Sequence, residues 1–500
     1  MTDLDRRSFL KAGAAVAGGA AIAGPFQGFA AAGAWAAPTD PDAHQLVPVA
    51  DLRDQVVRLA LPPGFQYRSF QPSSRSAPLI LNDGARMPGR HDGMAAFEDG
   101  VNVTLIRNHE ENGAGANNAP AGTGTPIYDT GARGGTSTVD VTHDGQVLHA
   151  VMSIAGTQMN CSGGEMPWGA WITCEETVNG PDVADDFTRT PVGGTDPGPN
   201  TYVTNRNLTK PHGAIFEVPV DGTATAVPIK NAGRFPHESV AWDPHSKALY
   251  LSEDNFAFPS GFYKYVPPAD PVAVGSLRDG GRLYMLKVAG ADNVDLSRKH
   301  PDKATYDVEW VEIDDPWFEA APPASGQNPE WTNDEALRVV SLQGLAKGAA
   351  KFSRLEGTVY DGGLVYFTST QGGGAPMTTD ADTVNGFGRG WGQVWAYDSR
   401  SEQLHLMFES PNRNVLDFPD NVTTSPRGTL VLCEDHDDFN FLRGLTPRGK
   451  LITFAQNIWE GRTGDEFAGS TFSGSTLFVN IQASSGISFA IWGDWASIGV

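Results

Sequence analysis

Six times along the chain a short apolar or β-branched run ends in acids or amides: residues 103–110, 171–176, 248–255, 364–370, 430–435 and 475–482. Runs of this length suit strands and are too short for helices that could carry a core. Between them lie residues 213–218, 261–266, 392–398 and 449–454, each a glycine followed by alternating large apolar side chains. That alternation is the pattern of a half-buried antiparallel strand. Six such groups at irregular spacing predict an all-β fold, a six-bladed β-propeller with helical and loop insertions. Composition agrees, since 58 glycines and 35 prolines in 500 residues disfavour long helices, while 40% hydrophobic residues suffice for a large core.

The N-terminus sets Arg6 and Arg7 before an Ala/Gly-rich stretch that ends in the small-residue site Ala34-Trp35-Ala36. This reads as a twin-arginine signal peptide over 1–36, followed by a polar linker over 37–45 and one propeller catalytic domain over 46–500. The expected destination is outside the cytoplasm, with the twin-arginine export machinery as a partner and no stable membrane anchor. Two insertions stand out. Residues 179–211 are polar and rich in Gly, Pro and Asp, which predicts a surface loop or lid. Residues 267–351 end in a helix opened by the capping box Thr332-Asn333-Asp334-Glu335. Three cysteines, Cys161, Cys174 and Cys433, are too few for a disulfide framework.

A formal charge of −23 disfavours nucleic-acid phosphates and anionic membranes as partners. It permits carboxylates to gather around cations instead. In a propeller the strand ends converge on the axis, which would bring together acids from Glu110, Glu175, Glu176, Glu253, Asp254, Glu434 and Asp435. Strand beginnings at His237-Glu238, Arg354-Leu355-Glu356 and Pro419-Asp420-Asn421 would join them. Carboxylates a few ångströms apart must either take up protons or share cations. The amides Asn108, Asn255 and Asn421 suit calcium, and Cys174 beside Glu175 and Glu176 would add a softer metal. Arg354 stands two residues before Glu356, so in extended backbone both project to one face. That pair fits a phosphate or carboxylate clamp, or a structural ion pair. His109 and His237 lack zinc-ligand spacing, and no G-x-S-x-G elbow is present.

The twin-arginine leader, Arg107-Asn108-His109-Glu110, Gly134-Gly135-Thr136-Ser137, Asn160-Cys161-Ser162-Gly163-Gly164, the run Pro167 to Glu176, Arg354-Leu355-Glu356-Gly357 and Pro419-Asp420-Asn421 together resemble the PhoX-type alkaline phosphatase family. The resemblance implies a six-bladed propeller whose axial site holds two ferric ions (Fe3+), several calcium ions (Ca2+) and a bridging oxide, with one cysteine thiolate among the iron ligands. Carried over by motif, Cys174, Glu175, Glu238 and Glu356 would be iron or bridging ligands, with Cys161 the rival thiolate. Asn108, Glu110, Asp420, Asn421 and Glu434 would face calcium. Arg354 would hold the phosphoryl oxygens, and with Glu356 it makes up the catalytic pair. The implied activity is metal-dependent hydrolysis of small phosphate monoesters by an exported monomer. Two alternatives stand beside it: another metal-dependent propeller hydrolase, such as a phosphodiesterase or lactonase, and a non-catalytic calcium-binding propeller. Cys174 with Arg354 would separate the last, because a calcium scaffold needs neither a thiolate nor a guanidinium.

Overall fold

The six acid-ended runs fold as the strands Val103–His109, Ala170–Glu175, Ala248–Glu253, Leu364–Ser369, Leu430–Glu434 and Thr476–Ile481. They are seen in a computed structural model that describes residues 45–500 apart from 185–204 and positions 99, 116, 279, 302, 325 and 326. Each is the second strand of an antiparallel meander. The corresponding first strands are His91–Glu98, Asn160–Met166, His237–Asp243, Leu355–Asp361, Pro419–Thr424 and Phe467–Ser473. These first strands pack side by side in chain order, and Phe467–Ser473 returns to His91–Glu98 and closes a circle. Hydrogen bonding joins the meanders into five sheets, because Thr305–Glu312 pairs with Gln403–Glu409 and fuses the third meander to the fourth.

The second strands are continuous apolar runs because both of their faces are covered by neighbouring sheets. In Ala170–Glu175, Ile172 and Cys174 face the next meander, packing with Val240, Leu249 and Leu251. Trp171 faces the previous one, with Ile106 and Phe216. The same alternation puts Val431 and Cys433 in a core with Leu477 and Val479. Phe478 lies in the opposite core, with Leu105 and Val139. The circle is closed by chain ends far apart in sequence: Gln66–Ser74 pairs with Ser485–Trp492, and Val57–Leu61 pairs with Leu451–Asn457.

The expected helix is present but broken. Thr332 caps Asn333–Ala336 with both bonds of the capping box, and a second helix runs Val339–Ala346 after an interruption at Leu337 and Arg338. The signal peptide, all of the linker but Gln45, and most of the expected lid lie outside the described residues. No helix among the described residues is long and apolar enough to cross a membrane.

Candidate metal centre

One local device repeats at the start of all six first strands. The register runs from His91↔His109 to Met94↔Arg107, three steps on one strand against two on the other, so one extra residue is inserted as a β-bulge. Equivalent shifts occur in the other five. The residue that opens the bulge is Asp92, Cys161, Glu238, Glu356, Asp420 and, in the sixth strand, Gly469. A small or amide residue follows each time: Gly93, Ser162, Ser239, Gly357, Asn421 and Ser470. Opposite each bulge the second strand ends, and the residue just past its last pair is Glu110, Glu176, Asp254, Thr370, Asp435 or Gln482. The backbone N–H of that residue donates, at 2.9–3.1 Å, to the carbonyl of the residue before the first strand: Arg90, Met159, Pro236, Arg354, Phe418 or Glu466. Each meander thus aims three side-chain positions at one end of the circle.

Those positions build a continuous cluster of donors. Asp92, Glu110 and Cys161 bring their ligand atoms within 4.8 Å of one another, as do Cys161, Glu176 and Glu238, then Glu238, Glu356 and Asp420, then Asp420, Asp435 and Glu466. The four triads share corners, so eight carboxylates and one thiol form an unbroken arc of buried groups. Two guanidinium groups lie against it. Arg354 Nη2 donates to Glu356 Oε1 at 2.7 Å and to Asp254 Oδ2 at 3.0 Å. Arg90 pairs with Glu110 and donates to Gln482 Oε1 at 2.9 Å. Buried carboxylates at this spacing stay ionised only when opposite charge is brought in, and Arg354 and Arg90 supply part of it. Glu110 Oε1 is buried without a hydrogen-bond partner. Cys161 Sγ lies 2.7 Å from Glu176 Oε2. An oxygen-rich arc with a single thiol fits hard divalent cations together with one thiophilic transition metal.

Of the residues expected at the site, Glu110, Glu238, Glu356 and Asp420 lie in this arc, and Arg354 lies on it. Asn108 and Asn421 brace the bulges. Asn108 Nδ2 donates to the carbonyls of Cys161 and Ser162, and Asn421 Nδ2 donates to Ser162 Oγ at 2.9 Å.

The structure does not bring Cys174, Glu175 or Glu434 to the arc, and strand alternation is the reason. Cys174 faces the inter-sheet core, where burial, reinforced by Glu175, pushes its thiol pKa well above the ordinary value. Glu175 turns away from Glu176 to accept from His212 Nδ1 at 2.6 Å and from the backbone N–H groups of Gln158, Gly213 and Ala214. Glu434 likewise turns from Asp435 to accept from Arg443 Nε at 2.8 Å; burial raises its pKa, opposed by Arg443. Glu253 follows the same parity. It bonds Tyr263 and the Gly261 N–H, and burial lifts its pKa to about 8. His109, whose pKa burial depresses to about 3 with help from Arg107, sits between Gly89 O and Ser137 Oγ.

Arg90, Asp92 and Glu466 were not among the expected residues. The first two had a legible signal: Arg90-His91-Asp92 repeats the Arg-x-acid spacing of Arg354-Leu355-Glu356.

The model of the alkaline phosphatase PhoX family matches residues 146–485, and the twin-arginine translocation signal model matches residues 3–23. Among solved structures, PhoX of Pseudomonas fluorescens in complex with vanadate, a transition state analogue, superposes with a TM-score of 0.59 at 17% identity, covering 90% of this chain and 98% of that one. This likeness shows a shared fold. Two others overlap too loosely to inform the site. A catalytically inactive virginiamycin B lyase from Staphylococcus aureus has a TM-score of 0.36 at 10% identity, covering 85% of this chain and 99% of that chain. A gluconolactonase from Xanthomonas campestris has a TM-score of 0.35 at 12% identity, covering 90% and 98%. Among curated proteins, none matches the chain. The family match takes in well over half of the sequence and most of the arc, and a twin-arginine leader precedes it. The chain therefore belongs to the alkaline phosphatase PhoX family, as a phosphoric monoester hydrolase exported by the twin-arginine route.

Proposed function

We propose that this chain hydrolyses phosphate monoesters with metal ions held in the arc that runs from Asp92 to Glu466, at one mouth of a six-bladed propeller. The observation that carries the reading is the continuity of the four donor triads. Single acids cap strands in many proteins, but a bulge that delivers a donor from five of six first strands to one place is a built site. The circle of first strands and the repeated bulge support six blades, and residues 46–500 as one domain.

In this reading Cys161, Glu176 and Glu238, which form one triad, hold iron, and Glu356 joins them through Glu238. Asp92, Glu110, Asp420, Asp435 and Glu466 serve calcium. Bound metal would offset phosphate charge, polarise the phosphorus and lower the pKa of water. Arg354 and Arg90, fixed by carboxylates on the arc, present guanidinium charge where equatorial phosphoryl oxygens gather charge in the transition state. Asn108 and Asn421 keep the bulges in shape and so hold the donors in register. The vanadate bound by the Pseudomonas fluorescens protein is consistent with an oxyanion site in this fold.

The test is to assay natively exported protein on mono- and diesters of phosphate before and after metal chelation, with metal analysis of the same samples. Expected are monoester cleavage, chelator sensitivity and bound iron and calcium. Full activity in metal-free protein would overturn the reading.

A further inference from the structure

Among the Phe, Tyr and Trp side chains of the described residues, two are exposed: Trp391 at 38% and Phe439 at 48%. Both belong to the arc's end of the molecule. Trp391 lies in the connection between Leu364–Ser369 and Gln393–Asp398, and Phe439 in the connection between Leu430–Glu434 and Phe441–Leu445. These connections leave the second strands at the ends where the donors gather.

Trp391 is tied to the arc through two backbone bonds. Its carbonyl accepts from Phe418 N–H at 3.1 Å, and the Phe418 carbonyl accepts from Asp435 N–H at 3.0 Å. The Trp391 and Phe418 rings are nearly parallel, 22° apart with centroids separated by 6.4 Å. Phe418 occupies the same repeat position as Arg90 and Arg354, the residue before a first strand. Like them it has a left-handed backbone, with φ 47° against 45° and 40°. That conformation is rare for a bulky residue and free for glycine. At two of these positions the side chain meets the arc's acids as a guanidinium. At Phe418 it is an aromatic ring, half-buried beneath an exposed one.

We propose that Trp391 and Phe418 form the subsite for the leaving alcohol of the monoester and select a flat aromatic group there. The inference rests on the phosphomonoesterase reading. It assigns the phosphoryl group to the arc and the ester's organic part to the aromatic pair. Stacking on such a pair contributes binding that a small alkyl alcohol cannot draw on.

The experiment compares kcat/KM for 2-naphthyl phosphate and glycerol 1-phosphate in the wild type, Trp391→Ala and Phe418→Gly, with metal content measured on each preparation. Inhibition by phenylphosphonate and by inorganic phosphate is recorded alongside. Phe418→Gly suits the left-handed backbone, so the fold is kept. Each variant should lose roughly tenfold on the naphthyl ester and change less than about twofold on the glycerol ester. Phenylphosphonate should weaken as an inhibitor while inorganic phosphate does not. Equal losses on both esters, or an undiminished naphthyl rate, would overturn the subsite and leave the phosphatase reading standing. If the wild type cleaved neither ester, the underlying reading would fail, and the subsite with it.

Discussion

At the residue scale, parity decides which acids do chemistry. Glu175 and Glu176 are neighbours, yet one meets His212 and the other Cys161, because successive strand side chains point to opposite faces. Arg354 is the sharpest single test. Its guanidinium is nine-tenths buried or more and already grips two carboxylates. If it also stabilises the transferring phosphoryl group, Arg354→Ala should lower kcat/KM by roughly 10²-fold with metal content near wild type, and Arg354→Lys should recover only part. A loss of metal with no loss of rate per loaded molecule would instead mark a structural ion pair.

A second test uses His212, which is fully buried beside Glu175, with Asp129, Tyr128 and Arg234 around it. Burial opposes its charge, but Glu175 and Asp129 outweigh that and raise its pKa to about 9. A raised folded pKa gives stability that is full below the unfolded value near 6.5 and disappears as pH climbs through 9. His212→Gln should therefore cost about 3 kcal/mol at pH 6, and the gap in Tm from wild type should close by pH 10. A gap independent of pH would show that the imidazolium is not what stabilises this corner.

At the element scale, the bulge is the unit of function, and it needs room. The sixth bulge carries Gly469 where the others carry a donor. Its φ is 60°, and an added Cβ would collide with the Asp92 carbonyl oxygen. Gly469→Ala should thus cost about 3 kcal/mol or more and disturb Asp92, whereas Gly222→Ala, on an open turn at φ 80° with nothing near, should cost only about 1 kcal/mol. Thermal unfolding of both variants checks this, and equal shifts would contradict it.

The same element shows what could be read from sequence. All six second strands were legible because burial on both faces makes them continuous apolar runs. The first strands were harder. Three of their starts, at Glu238, Glu356 and Asp420, announced themselves by an acid before a strand. His91-Asp92-Gly93 and Phe467-Ala468-Gly469 did not, since small residues at the bulge dilute the β-pattern. Cys174 drew attention through its acidic neighbours, but its parity matches Ile172 in the core. Cys161 had no apolar strand pattern to place it. Its bulge position becomes visible only once its strand is paired with Ala170–Glu175.

At the scale of the whole molecule, the first strands are set in a circle by chain ends remote in sequence, and that closure links donors from successive meanders into triads whose ligand atoms lie within 4.8 Å of one another. Eight carboxylates of this acidic chain gather in the arc, so cations should both complete the site and stabilise the closure. In the proposed centre Cys161, not Cys174, is the thiol that holds metal. The direct measurement is the visible absorption spectrum and metal content of the wild type, Cys161→Ser and Cys174→Ser, purified after native export. Coloured wild type, a bleached Cys161→Ser that has lost iron, and a Cys174→Ser that keeps both colour and iron are the predicted results. Iron and colour retained in Cys161→Ser, or lost in Cys174→Ser while Cys161→Ser stays loaded, would contradict it.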